Sequence, residues 1–189
     1  VKRESRALIA NVTGFAEKIR QKISKDVPIV GSFSQTNGKA KKIILDELFS
    51  FLDNRKLSAF QILPQWLPVY AWYFGGAVKL DLFNSLEDIE FIIQNKRPIC
   101  LDVCHLGLSA NYAGVDWRDW YQKLLPYNKH WHLADSLGVD GEGLPLGAGD
   151  IGDFELFLPE NGLKIIEVWQ GHFNQGEGLL TALETLAGK

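Results

Sequence analysis

Five times along this 189-residue chain a short apolar run ends in small or acidic residues and gives way to a stretch with helical spacing, at intervals of about 30 to 40 residues. That interval holds one strand, its loops and a returning helix, and it calls for parallel strands, because parallel neighbours cannot be joined by a tight hairpin. The runs are 28–34, 59–65, 98–105, 129–136 and 164–170. Ile99 to Cys104 and Lys164 to Trp169 are apolar on both alternating faces, as strands covered from both sides must be. Leu8, Val12, Phe15, Ile19 and Ile23 recur at steps of three and four and predict an amphipathic helix over 5–24; a second is predicted over 40–52. Five such units make an open doubly wound sheet or the last five of an eight-stranded barrel, a fold of about 250 residues. No Gly-x-Gly-x-x-Gly turn follows the first run, so the nucleotide-binding open sheet has no support.

With 46% hydrophobic residues and a net charge of −3, the chain can bury one sizeable core, and no linker divides it, which predicts a single domain over 1–189. Its longest apolar runs, such as Leu67 to Val78, are broken by Pro68 and Gly75-Gly76 before the roughly 20 residues that span a bilayer. An isoelectric point near 5.8 argues against nucleic acid as a partner. Cys100 and Cys104 share one apolar segment, as small core residues do, which fits a reducing, cytoplasmic setting. A chain that starts at Val1 and holds no Met is expected to be part of a longer protein.

The acids inside the strands point to chemistry. Asp102 and Glu167 sit among apolar neighbours, where a carboxylate costs on the order of several kcal/mol unless it is paired, protonated or bound to a metal. Asp102 and His105 form Asp-Val-Cys-His at one strand end; the plainer alternative is a buried Asp bonded to backbone amides beside a surface His. His132 opens His-Leu-Ala-Asp-Ser at the next, and His130, two residues earlier on the same face, is better read as a packed core residue. Asp102, His132 and Glu167 together offer the oxygen and nitrogen donors that suit Mn²⁺, Mg²⁺, Co²⁺ or Zn²⁺. Trp66, Tyr70, Trp72, Tyr73 and Phe74 could wall a small carbohydrate substrate or form a contact between subunits of a homo-oligomer. Trp72 is the substrate-binding candidate among them, and His172, beyond the last run, is another. Ser32, Ser34 and Asn37 could bind a hydroxyl or phosphate, with Lys39, Lys41 and Lys42 nearby to attract an anion.

The pair Asp102-x-x-His105 and His132-Leu-Ala-Asp-Ser136, the glycine-rich Leu146-Gly-Ala-Gly-Asp-Ile-Gly152 and the acid Glu167 follow one another in an order that resembles the AP endonuclease and xylose isomerase-like barrels. The resemblance runs from about Ala59 onward. It implies the C-terminal part of a (β/α)8 TIM barrel that binds a divalent metal and acts as an isomerase or epimerase on a sugar or sugar phosphate. It also implies four metal ligands from successive strand ends: Gln65, where the family carries Glu, then Asp102, His132 and Glu167. Glu167 would double as the proton acceptor, and His105 would contact substrate oxygen. Gln65 changes the chemistry, since a carboxamide can ligate a metal but cannot accept a proton as a carboxylate base does. That leaves a catalytically impaired carbohydrate-binding barrel as one rival. The endonuclease branch is another, weakened because Asp140-Gly-Glu142 stands where that branch has Asp-x-His.

Overall fold

The computed structural model describes residues 38–54, 62–73, 76–152 and 154–188. The helix expected over 5–24, the strand over 28–34 and the residues Ser32, Ser34 and Asn37 lie outside these. The chain gathers into two compact units: residues 1–62 with 69–82, and residues 63–68 with 83–189.

The first unit contains helix α1 (Gly38–Asn54), which overlaps the expected 40–52. It buries Leu45 and Phe49, four residues apart on one face, and turns Lys42 and Asp46 outward. The unit also holds a hairpin of β1 (Tyr70–Tyr73) and β2 (Gly76–Lys79), paired antiparallel from Tyr70 opposite Lys79 to Tyr73 opposite Gly76. The aromatic segment that sequence left without an element therefore forms strand β1, and Trp72 stands in it.

The second unit is built on three parallel strands, β3 (Ile99–Asp102), β4 (Asn128–Leu133) and β7 (Leu163–Ile166), adjacent in chain order. Of the run expected at 59–65 the structure describes 62–65, and among these described residues only Gln65 pairs, as a single parallel bridge to Cys100 on the outer side of β3. Helix α2 (Leu86–Asn95) leads into β3. It opens on a reciprocal cap: Ser85 Oγ accepts from the Asp88 N–H, while the fully buried Asp88 carboxylate accepts from the Ser85 N–H and hydroxyl and the Asn84 N–H. Ile89 and Ile92 face the core from this helix.

Helix α3 (Val103–Ala113) begins directly at the end of β3 and buries Leu106, Leu108 and Ala110; α4 (Trp117–Leu124) follows and buries Trp117, Trp120, Tyr121 and Leu124. Trp66 packs edge-on against Trp120 at 6.0 Å and is 1% exposed, which makes it a core residue. Phe157 closes a second aromatic cluster, edge-on to Trp117 and Tyr121 at 4.8 and 5.2 Å.

The segment after β4 departs from the expected strand-then-helix. The strand read over 129–136 stops at Leu133, and Asp135–Leu137 form a separate strand, β5, antiparallel to β6 (Gly141–Leu144). A short 3-10 turn at Phe154–Leu156 then leads to β7. The physical reason is Asp135. Fully buried, it accepts backbone N–H groups from Ser136, Gly147 and Ile151 at 2.7 to 3.0 Å, which folds the glycine-rich segment back over the strand end. Gly149 is needed there because a Cβ would collide with the Ser136 carbonyl, and Gly147 and Gly152 take left-handed φ values of 83° and 81°. Helix α5 (Phe173–Leu186) ends the chain, its first turn broken by left-handed backbone at Asn174, Gln175 and Gly176. Among the described residues, no helix is long and apolar enough to cross a membrane.

Replacing Asp135 by Ala strands three backbone donors at once. The expected cost is about 3 kcal/mol or more, read as a lower urea midpoint with an unchanged slope. A loss under about 0.5 kcal/mol would show that the loop does not depend on this carboxylate.

Candidate metal centre

Asp102 occupies the junction where β3 turns into α3. Its Oδ1 accepts the His105 N–H at 3.0 Å, capping the helix, so one carboxylate oxygen is spent on the backbone. The other, Oδ2, accepts from Gln65 Nε2 at 2.8 Å and lies 3.1 Å from His105 Nδ1 and 4.0 Å from His132 Nδ1. Asp102 is thus bonded to the backbone and also faces the strand-end side chains. Burial pushes its carboxyl above the usual carboxylate range; His105, its backbone N–H and Gln65 work against that rise, and Glu167 adds to it.

His105 is the third residue of α3 and is clamped at both ring nitrogens. Nδ1 lies 3.0 Å from the Trp66 carbonyl oxygen, which can only accept, and Nε2 lies 2.9 Å from Glu142 Oε1. Donation by both nitrogens requires an imidazolium. Burial opposes that charge, but the Asp102 carboxylate, the Glu142 bond and the Trp66 carbonyl outweigh it and raise the His105 pKa. In that doubly donating form His105 offers no lone pair to a metal, and it reaches a substrate oxygen only by releasing Glu142.

The parallel register sets Asp102 beside His132 and Cys100 beside His130, so these four side chains share one face of the sheet in two layers. Glu167 follows β7 by one residue and stays tied to its neighbour, its N–H donating to the Leu133 carbonyl at 2.8 Å. Its Oε2 comes within 3.0 Å of His132 Nδ1. The side chain of Glu167 is 44% exposed against 4% for Asp102, so Glu167 is the acid a small molecule can reach.

One donor atom each from Asp102, His132 and Glu167 lies within 4.8 Å of the others, and the same holds for Cys100, His130 and His132. Either group could hold a metal ion. A cation suits the first on a specific ground: His132 Nδ1 is buried between two carboxylates, yet it makes no hydrogen bond, because the short approach to Glu167 is poorly aligned. A buried nitrogen flanked by anions and left unpaired is what a bound cation satisfies. Gln65 presents its NH₂ to Asp102, so it acts as a donor that braces the acid and would have to turn its amide over to offer an oxygen.

The protein-family models, the curated proteins and the solved structures contain no match to this chain. What can be said of function therefore comes from its own residues.

Of the residues singled out in the sequence, Gln65, Asp102, His105, His132 and Glu167 come together. Trp72 belongs to the other unit, and His172 is exposed, its ring edge-on to Phe173 at 4.5 Å. Two members of the neighbourhood were underestimated. Glu142, which stands where the endonuclease branch has His, is the partner of His105, and Cys100, read from sequence as a small core residue, stands beside His130. Alternation along β3 places Cys100 on the face of Asp102, a signal already present in the sequence; nothing local points Glu142 at His105.

The Glu142 contact predicts a measurable proton affinity. In Glu142→Gln the His105 pKa should fall relative to the native chain, followed by NMR of the imidazole protons against pH. Because the folded pKa is raised, the His105 contribution to stability is fully present below the unfolded imidazole pKa and is lost as pH rises through the folded one. The variant should flatten that dependence, and an unmoved His105 titration would refute the clamp.

Proposed function

We propose that this chain is a divalent-metal-dependent isomerase- or epimerase-like protein acting on a sugar or sugar phosphate, built on the C-terminal part of a (β/α)8 barrel. The observation that carries the reading is the meeting of Asp102, His132 and Glu167 at the ends of three adjacent parallel strands, with Gln65 joined to Asp102 from a fourth position. Parallel strands laid side by side in chain order fit consecutive strands of a barrel, as they also fit one half of a doubly wound sheet. In barrels of this kind chemistry sits at the C-terminal strand ends, where these residues are.

Asp102, His132 and Glu167 would hold the cation, which could be Mn²⁺, Mg²⁺, Co²⁺ or Zn²⁺, with Gln65 joining once its amide has turned. When bound, the ion would supply Lewis-acid polarisation of the carbonyl and neighbouring hydroxyl of a ketose or aldose, which would acidify the C–H of the hydroxyl-bearing carbon. Glu167 is the exposed carboxylate positioned to take that proton and return it. The backbone N–H and ring of His105 and the amide of Gln65 keep Asp102 oriented. Gln65 stands where a second carboxylate base would act, and this favours one-base shuttling between neighbouring carbons over two-base inversion at a single carbon.

The same Gln65 supports the rival reading of a barrel that binds carbohydrate without turning it over. An endonuclease reading loses ground, because Glu142, its candidate extra ligand, is committed to His105. The deciding experiment pairs elemental analysis of the purified protein with an isomerisation screen on ketoses, aldoses and their phosphates. Near-stoichiometric divalent metal is expected, absent from the Asp102→Ala, Glu167→Ala double variant. Activity is expected to need that metal and to fall by about 100-fold or more in kcat for Glu167→Gln. Metal with sugar binding but no turnover would select the rival; no metal in the native chain would overturn both the cofactor and the mechanism.

A further inference from the structure

We propose that Cys100, His130 and His132 form a second ligand set, one layer deeper than the carboxylates, that takes Zn²⁺ or another thiophilic cation. The inference rests on the proposed centre only through His132, which the two sets share. Three observations carry it. The parallel register pairs Cys100 with His130 and leaves His132 two residues along the same strand, so all three side chains issue from one face. One donor atom from each lies within 4.8 Å of the others, and the two imidazole centroids are 5.2 Å apart. Cys100 is a free thiol, buried at 2% exposure, while His130 and His132 are only half-buried, so an ion entering from the imidazole side meets the sulfur last.

Ligand chemistry separates this layer from the one above it. A thiolate with two imidazoles is the soft and borderline donor set of zinc and its congeners, whereas Mg²⁺ and Mn²⁺ prefer the carboxylate oxygens of Asp102 and Glu167. Zinc–ligand bonds of about 2.0 to 2.3 Å require the donors to draw together by roughly 1 Å, within the reach of side-chain rotation. Binding replaces the thiol S–H bond by a sulfur–metal bond and releases one proton to solvent, while the imidazoles bind neutral. Because His132 serves both layers, an ion drawn to Cys100 and one held by the carboxylates call on the same imidazole ring.

Cobalt(II) reads this directly, since a thiolate ligand gives it an intense charge-transfer band in the near ultraviolet that oxygen and nitrogen ligands do not. The full chain titrated with Co²⁺ should show the band, and added Zn²⁺ should bleach it. Cys100→Ser should abolish it, Cys104→Ser should leave it intact, and His130→Gln, altering a half-buried residue, should weaken Co²⁺ binding by at least about tenfold. Mn²⁺ affinity, followed by electron paramagnetic resonance, should survive Cys100→Ser and fall in Glu167→Gln. Circular dichroism checks the fold of each variant, and if Cys100→Ser does not fold, His130→Gln decides. Cobalt bound without the band, a band that persists in Cys100→Ser, or a band whose Co²⁺ midpoint is unchanged in His130→Gln each overturns the proposal. Mn²⁺ bound with no cobalt–thiolate band would leave the carboxylate centre standing and remove only this one; the band without Mn²⁺ binding would do the reverse.

Discussion

A carboxylate removed from water has to be surrounded by donors, and Asp102, 3% exposed at the junction of β3 and α3, is surrounded by side chains and backbone from several parts of the second unit. The helix N-terminus takes one oxygen, while Gln65 and two imidazoles gather around the other. Much of the local architecture follows. Gln65 is drawn to β3, where it makes a bridge without a full strand, and His105 is turned toward the Trp66 carbonyl, which seats Trp66 against Trp120. Ser109, one turn further along α3, adds a bond to the Leu67 carbonyl, so the segment around Gln65 is fastened from the helix at two points.

His132 occupies the corresponding place among the donor atoms. Its Nδ1 lies among the oxygens of Asp102 and Glu167, and its ring neighbours that of His130. The sheet face thus carries hard oxygen donors at its rim and a thiol below them, with one imidazole common to both. Glu142 reaches the same neighbourhood from the hairpin of β5 and β6, an insertion that replaces the expected helix after β4 and brings an acid to His105.

Much of this was legible along the chain. The runs around Asp102 and Glu167 announced parallel strands because apolar alternation on both faces with a single acid has few other uses, and all three described strands begin within one residue of the expected starts but stop three or four residues short of the expected ends. The hairpin was not legible, since its strands are short and its aromatics equally suit a binding wall. Asp135 was hidden for a related reason: as part of His-Leu-Ala-Asp-Ser it continues the strand pattern, and only its three backbone donors, two of them more than ten residues away, show it to be the anchor of the glycine-rich loop.

Sequence alone singled out the acids and imidazoles set among apolar strand residues and put three of them at strand ends, because periodicity and the cost of buried charge are local properties of a chain. Tertiary structure decided what each of them touches. The parallel register put Cys100 next to His130 and Asp102 next to His132, the hairpin brought Glu142 to His105, and the bridge at Cys100 turned Gln65 into a donor to Asp102. These are contacts between residues about 30 or more positions apart, set by how strands align and loops fold back, and a hydrogen bond's direction or a nitrogen left unpaired exists only once that alignment is made.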